Sequence, residues 1–296
     1  MNMLNYLQRE NHFKYYFPIF RLYICFHIIK KIILQWESLS IIYSPSSFWV
    51  HTPKLFLPLY TLIQNNYLLF IGYMVILLLL YFFGVGRYFV SVVVYISLKA
   101  TQDFTGALLN GGDNLLIFVV LYMCFADSYQ FFAINKSSSK DKFIRIKNVL
   151  SNLAAYSIIL HLCLVYFVSA LHKVHADVWF NGVANYYILH LDRFSSPFNH
   201  YFNNNGYIIT ISTYFTILFE MYFPVLVWFK YWRNYFIGAG ILLHLGIYFF
   251  MMIYDFEILF MMIYGFFYTN KEWATFFIYL QNKKTTILNF KYSRQT

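Results

Sequence analysis

Eight predominantly apolar runs, near residues 17–36, 67–85, 88–105, 114–133, 151–171, 207–229, 235–254 and 256–270, occupy most of the chain. Nearly all have the length, about 17–25 residues, that a helix needs to cross roughly 30 Å of hydrocarbon. The last is short and has to tilt, thin the bilayer or extend to about residue 280. A bilayer offers no water to unpaired backbone groups, so such runs fold as helices that satisfy their own hydrogen bonds. The sequence therefore predicts an all-α integral membrane protein, a polytopic bundle of about eight transmembrane helices. Composition removes the alternatives. Only 11% of residues are charged and 60% are hydrophobic, whereas roughly a quarter of an ordinary soluble domain is charged. With 12 Gly and 6 Pro in 296 residues, disordered and collagen-like chains are excluded as well.

The net charge of +10 is first a statement about topology, because cytoplasmic loops of membrane proteins collect Lys and Arg. Eight spans place both termini on one side. With the N-terminus inside, the inner segments hold fifteen cations: Arg9, Lys14, Arg87, Lys136, Lys140, Lys142, Arg145, Lys147, Lys230, Arg233, Lys271, Lys283, Lys284, Lys291 and Arg294. The outer segments hold three, Lys54, Lys173 and Arg193. Both termini are therefore expected in the cytoplasm, with residues 1–16 an N-terminal segment, 17–270 the membrane domain and 271–296 a basic tail. No cleavable signal peptide is expected, since the first apolar run is long enough to span and lacks a small-residue cleavage site. Phe, Tyr, Ile, Asn and Lys share AT-rich codons, so their joint abundance gives no reason to expect a nucleic-acid partner.

The tract Asn135 to Asp141, with three consecutive serines, reads as a cytoplasmic linker between two sets of four spans. The halves share no motif, which argues against an inverted-repeat transporter. The long outer segments 37–66 and 172–206, with Pro45, Trp49, Pro53, Trp179 and Pro197, are expected to pack together over the outer helix ends. Cys25, Cys124 and Cys163 sit in separate apolar stretches without zinc-site spacing and read as free buried thiols.

Ionisable groups inside spans are expensive, which makes them functional candidates unless they pair with each other. Arg21 either snorkels to headgroups or acts within the bundle. The adjacent Lys30 and Lys31 need a watery cavity or an acidic partner. Asn110-Gly111-Gly112-Asp113 separates two apolar runs, and Asp113 is suited to cap the following helix. The motif is either a capped turn or a backbone contact for an anion or cofactor. The densest cluster runs from Tyr166 to Gly182 and holds His172, Lys173, His175 and Asp177. If the helix continues, His161, His172 and His175 fall within roughly 60° of one another, a weak metal reading because no carboxylate supports it. Lys173 is the stronger candidate. An amine desolvated at a membrane boundary loses basicity, which suits a general base; the alternative is a lysine anchoring a helix end. Glu220, one turn before Pro224, has to be neutral or bonded to Arg, Lys or His. His244, in Leu-His-Leu-Gly, is either a satisfied core histidine or a site residue.

Taken in order, these patches resemble the HTTM family, the membrane domain shared with vitamin K-dependent gamma-carboxylase. The resemblance rests on Phe20-Arg21, on Asn110 to Asp113, and on Tyr166, Phe167, Ser169, Lys173, Asp177, Trp179 and Gly182. It continues through Glu220, Phe223, Pro224 and His244, and covers about residues 17–270. Among family members, a chain of this size without a further domain is most similar to the sporulation-delaying protein B group, membrane proteins required to mature a secreted bacterial peptide toxin. True gamma-carboxylases carry a large C-terminal lumenal domain, whereas only about 26 residues follow the last expected span here. Their Asn-Asn-His turn corresponds to Gly111-Gly112-Asp113, which lacks the histidine.

The resemblance implies a multi-pass protein of the bacterial cytoplasmic membrane that modifies or matures an exported, toxin-like peptide, with a lipid quinol of the vitamin K kind and an accessory maturation protein as partners. Lys173 and His244 would be catalytic. Asn110, Asp113, His172, Trp179 and Glu220 would bind the cofactor or line its cavity, and no metal is assigned. The rival expectation is a non-catalytic membrane partner for peptide export or immunity, in which the same residues form structural pairs.

Overall fold

A computed structural model describes residues 2–43, 57–105, 109–137, 142–194, 196–203 and 205–292. Pro45, Trp49, Pro53 and Lys54, the end of the serine tract from Ser138 to Asp141, Asn204 and Arg294 lie outside these. The described residues are helical and contain no strand. Helices α1 (Met3–Arg9) and α2 (Tyr16–Leu34) are followed by the short α3 (Leu39–Ile42), then α4 (Leu57–Asn65), α5 (Tyr67–Phe82), α6 (Arg87–Phe104) and α7 (Gly111–Met123). The 31-residue α8 (Ile144–Val174) leads through the short α9 (Asp177–Phe180), α10 (Ala184–Leu189) and α11 (His200–Asn203) to α12 (Gly206–Leu226), α13 (Lys230–Met251), α14 (Tyr254–Ile263) and α15 (Asn270–Tyr292).

Helices α8, α12 and α13 are each long and apolar enough to cross a membrane. Their outward faces carry exposed Leu160, Leu164, Ile211, Val225 and Leu242, an apolar surface of the kind that associates with lipid. Helix α5, helix α7 and the stretch Phe256–Phe267 are apolar but shorter. Helices α2 and α6 have 19 and 18 residues, but α2 carries Arg21, Lys30 and Lys31 and α6 carries Arg87, Lys99 and Asp103.

The run expected at 114–133 is helical only to Met123. Beyond Cys124 the backbone leaves the helix because buried Asp127 organises a loop: its carboxylate accepts from the Tyr129 amide at 3.4 Å, from Gln130 Nε2 at 3.3 Å and from Ser137 Oγ at 2.6 Å. The Ile134 amide donates to Phe83 O at 2.8 Å, and the Arg87 guanidinium donates to Asn135 O at 2.8 Å and also to Lys136 O. Arg21 does not snorkel. It is fully buried, donates to Phe132 O at 2.5 Å and stacks 5.1 Å from the centre of the Tyr129 ring, so it clamps this loop against α2.

The segment before α2 is not a loose tail. Asn152 on α8 donates to Leu7 O at 2.9 Å and Glu10 O at 2.8 Å, and Asn148 donates to Gln8 O at 3.1 Å, so α1 lies against α8. At the opposite end of α8, residues 177–194 and 196–203 pack on α12 and α13: Asn185 Nδ2 donates to Ser212 Oγ at 2.7 Å, and Phe202 meets Phe250 edge-on. Helix α4 packs instead on α5 and α6. The expected contact between the two long outer segments depends partly on residues 44–56, outside the described range. Cys25, Cys124 and Cys163 are free and buried.

Candidate active site

Tyr166, Ser169, Ala170 and Lys173 recur at spacings of three and four along α8 and share one face. On α12 the buried Thr213, Thr216, Ile217, Glu220 and Phe223 follow the same rule, and the two faces pack along each other. That packing brings Glu220 against Lys173. Lys173 Nζ donates to both carboxylate oxygens, at 2.5 and 2.6 Å, and to Ser169 Oγ at 2.9 Å. The amine also lies 4.9 Å from the centre of the Trp179 ring, a cation–π distance. The side chains are 17% and 10% exposed, so the pair is largely shielded yet remains reachable near the end of α8.

Trp179 is held there by its turn. Gly182 adopts φ +73°, and a Cβ at that position would stand 2.9 Å from the Tyr214 ring. Both the left-handed backbone and the close ring therefore require glycine. The Tyr214 hydroxyl donates to Phe180 O at 2.8 Å and fixes the turn to α12.

Two turns deeper on α8, about 10 Å by helix rise, Tyr166 begins a second polar group. Its hydroxyl is 2.5 Å from His244 Nε2 on α13 and 2.5 Å from the Tyr264 hydroxyl. His244 Nδ1 is hydrogen-bonded to Glu257 Oε2 on α14. Phe219, Phe223 and Phe260 wall the group off. His244 is 2% exposed and Glu257 is fully buried, and among the described residues its Oε1 has no hydrogen-bond partner.

Asn110 and Asp113 form a separate arrangement. Asn110, rather than Asp113, is the N-cap of α7; Asp113 occupies the third helical position and completes a reciprocal capping box. Asp113 also pairs with Lys31 of α2, which supplies the acidic partner that Lys31 requires. Gln102 Nε2 donates to Asp113 O at 2.8 Å. Lys31, Gln35, Gln102 and Asp113 line the polar part of a cavity of about 90 Å³. Gly112 packs directly on α14, where an added Cβ would lie 2.9 Å from Phe256 Cα. The glycines thus permit a helix–helix approach beside Glu257.

His172 is exposed and stands outside both groups. His161 is hydrogen-bonded to Tyr122 at 3.2 Å, and His175 Nδ1 turns back to Leu171 O at 2.7 Å. The three histidines considered for a metal thus take separate environments, and among the described residues no group of three or more His, Cys, Asp or Glu side chains is placed to hold an ion. Lys173 faces a carboxylate, Glu220, rather than lying unpaired at a helix end. Glu257 and Tyr264 escaped the sequence reading. The signal for Glu257 was akin to the one that exposed Glu220, a carboxylate at the start of an apolar run, two residues after Asp255. Comparison of the chain with protein-family models, with curated proteins and with solved structures finds no match.

Proposed function

We propose that the chain is an HTTM-type, gamma-carboxylase-like protein of the bacterial cytoplasmic membrane, with eight spans and both termini inside, that modifies or matures an exported peptide. The observation that supports this reading is the couple Lys173–Glu220 under the Trp179 ring. Residues from two sequence patches that resemble one family, Tyr166 to Gly182 and Glu220 to Pro224, meet around one reachable amine. Glu220 takes one proton from the ammonium that makes these three hydrogen bonds, which frees the Nζ lone pair for Lys173 to act as the base at the outer end of α8, while Ser169 keeps Nζ oriented. A lipid quinol, the cofactor that the resemblance implies, would supply a weakly acidic hydroxyl beside Lys173, with Trp179 flanking its ring. His244 acts from the deeper group through Tyr166.

One observation favours the second reading, a non-catalytic membrane partner for peptide export or immunity. Lys173 is already saturated by Ser169 and both Glu220 oxygens, as a purely structural pair would be. Mass spectrometry of peptides exported by cells with and without the protein separates the two. A covalent mass change that depends on the protein supports the enzyme. Unaltered masses with a changed exported amount support the partner.

A further inference from the structure

Glu257 has no evident structural justification. A buried carboxyl oxygen without a partner is costly in a protein interior and more so in a bilayer, and Glu257 Oε1 is such an atom. Its other oxygen joins a continuous chain: Glu257 Oε2, His244 Nδ1, His244 Nε2, the Tyr166 hydroxyl and the Tyr264 hydroxyl. Every heavy atom in the chain can carry a hydrogen, the carboxyl oxygen when Glu257 is protonated.

Two hydrogen arrangements fit these positions. In the first, Glu257 is a carboxylate that accepts from Nδ1–H, Nε2 accepts from Tyr166 O–H, and Tyr166 accepts from Tyr264. In the second, Glu257 is an acid that donates from Oε2 to Nδ1, Nε2–H donates to the Tyr166 oxygen, and Tyr166 donates to Tyr264. The second holds one proton more than the first. No electron moves, no bond other than N–H and O–H changes, and the imidazole is neutral in both.

We propose that Glu257 is a proton store in the core of this protein, and that His244 and Tyr166 reverse their hydrogen-bond direction as it fills and empties. The titratable groups facing it are His244 from α13, Tyr166 and Lys173 from α8, Glu220 from α12 and Tyr264 from the turn after α14. Lys173 and Glu220 both act electrostatically on Glu257, so the charge of the outer couple and the filling of the store are linked. The proposal rests on the base reading of Lys173 only for the use of the stored proton.

The test uses the full-length protein in lipid bilayers. Infrared spectroscopy follows the carboxylic-acid C=O band of Glu257, assigned by difference with Glu257→Gln, and ¹⁵N NMR follows the tautomer of His244, assigned by difference with His244→Gln, across one pH titration. The store predicts that the acid band and the move of the N–H from Nδ1 to Nε2 appear together, and that Glu257→Gln abolishes both. Tyr166→Phe should keep the band but leave His244 in the Nδ1–H form, which guards against loss of folding in the Glu257 variant. A single His244 tautomer throughout, or a titrating band that His244 does not follow, overturns the proposal. Lys173→Arg leaves the coupled signals in place, so failure of the base reading is distinguishable from failure of the store.

Discussion

Lys173 Nζ sits 2.5 and 2.6 Å from the two oxygens of Glu220, across 47 positions of sequence. Each of these groups alone would be an uncompensated charge in a largely shielded place.

Removing one partner should therefore cost more than removing both. Glu220→Leu strands the amine and is expected to lower stability by about 3–5 kcal/mol, while Lys173→Met combined with Glu220→Leu recovers most of that loss. Glu220→Gln keeps an oxygen for the amine and should retain yield. Thermal unfolding in detergent of wild type, these three variants and Lys173→Met alone checks this; additive losses in the double variant would mean that the two side chains do not support each other.

The outline of the fold was legible because apolar runs must become helices, and α5 and α12 begin within a residue of expectation. The end of α7 was not, since Asp127 takes its partners from loop positions that no helical period reveals. Lys173, Glu220 and His244 stood out as polar groups in apolar surroundings. Their partners did not, because Tyr166 meets His244 across 78 positions, and register between helices is set by packing rather than by local sequence. Asp113 was visible, but its partner Lys31 lies 82 positions earlier. Glu257 was hidden by the short final run, which drew attention to its length instead of its carboxylate.

Gly112→Ala should disturb the site from a distance. The new methyl would meet Phe256 Cα at 2.9 Å, and backbone cannot yield as a flexible side chain does. A loss of about 1–3 kcal/mol is expected from overpacking, together with an altered His244 ¹⁵N signal as α14 shifts. Unchanged stability and spectrum would show that α7 and α14 do not approach this closely.

Glu272, beyond the last expected span, gives the protein an acid-sensitive contact. Burial pushes its carboxyl up, but the Thr269 amide and hydroxyl and the Arg233 guanidinium outweigh that and hold it below the ordinary value of 4.5. A carboxyl lowered on folding contributes stability that is complete above its unfolded value and is lost as pH falls through the folded one. Thermal stability of wild type should drop as pH descends below about 4.5, and Glu272→Gln should show a shallower decline. Identical pH profiles would remove the contribution of this contact.

Reporter fusions test the orientation set by the Lys and Arg distribution. Fusions after Ser138 and at the C-terminus should report cytoplasm, and one after Asn204 should report the outside. An outside signal at Ser138 would reverse the chain and put Lys173 at the inner face.

The base role of Lys173 is tested most directly by intact-mass analysis of the exported peptide in cells carrying Lys173→Arg. Arginine can keep the pair with Glu220 and the contact with Trp179, but its guanidinium stays charged and cannot accept a proton. The variant should fold, insert and leave the peptide unmodified, by a factor of roughly 10² or more. Lys173→Ala should be equally inactive, with added small amines restoring part of the modification to the alanine variant alone. Full modification by Lys173→Arg would reduce Lys173 to a structural partner of Glu220.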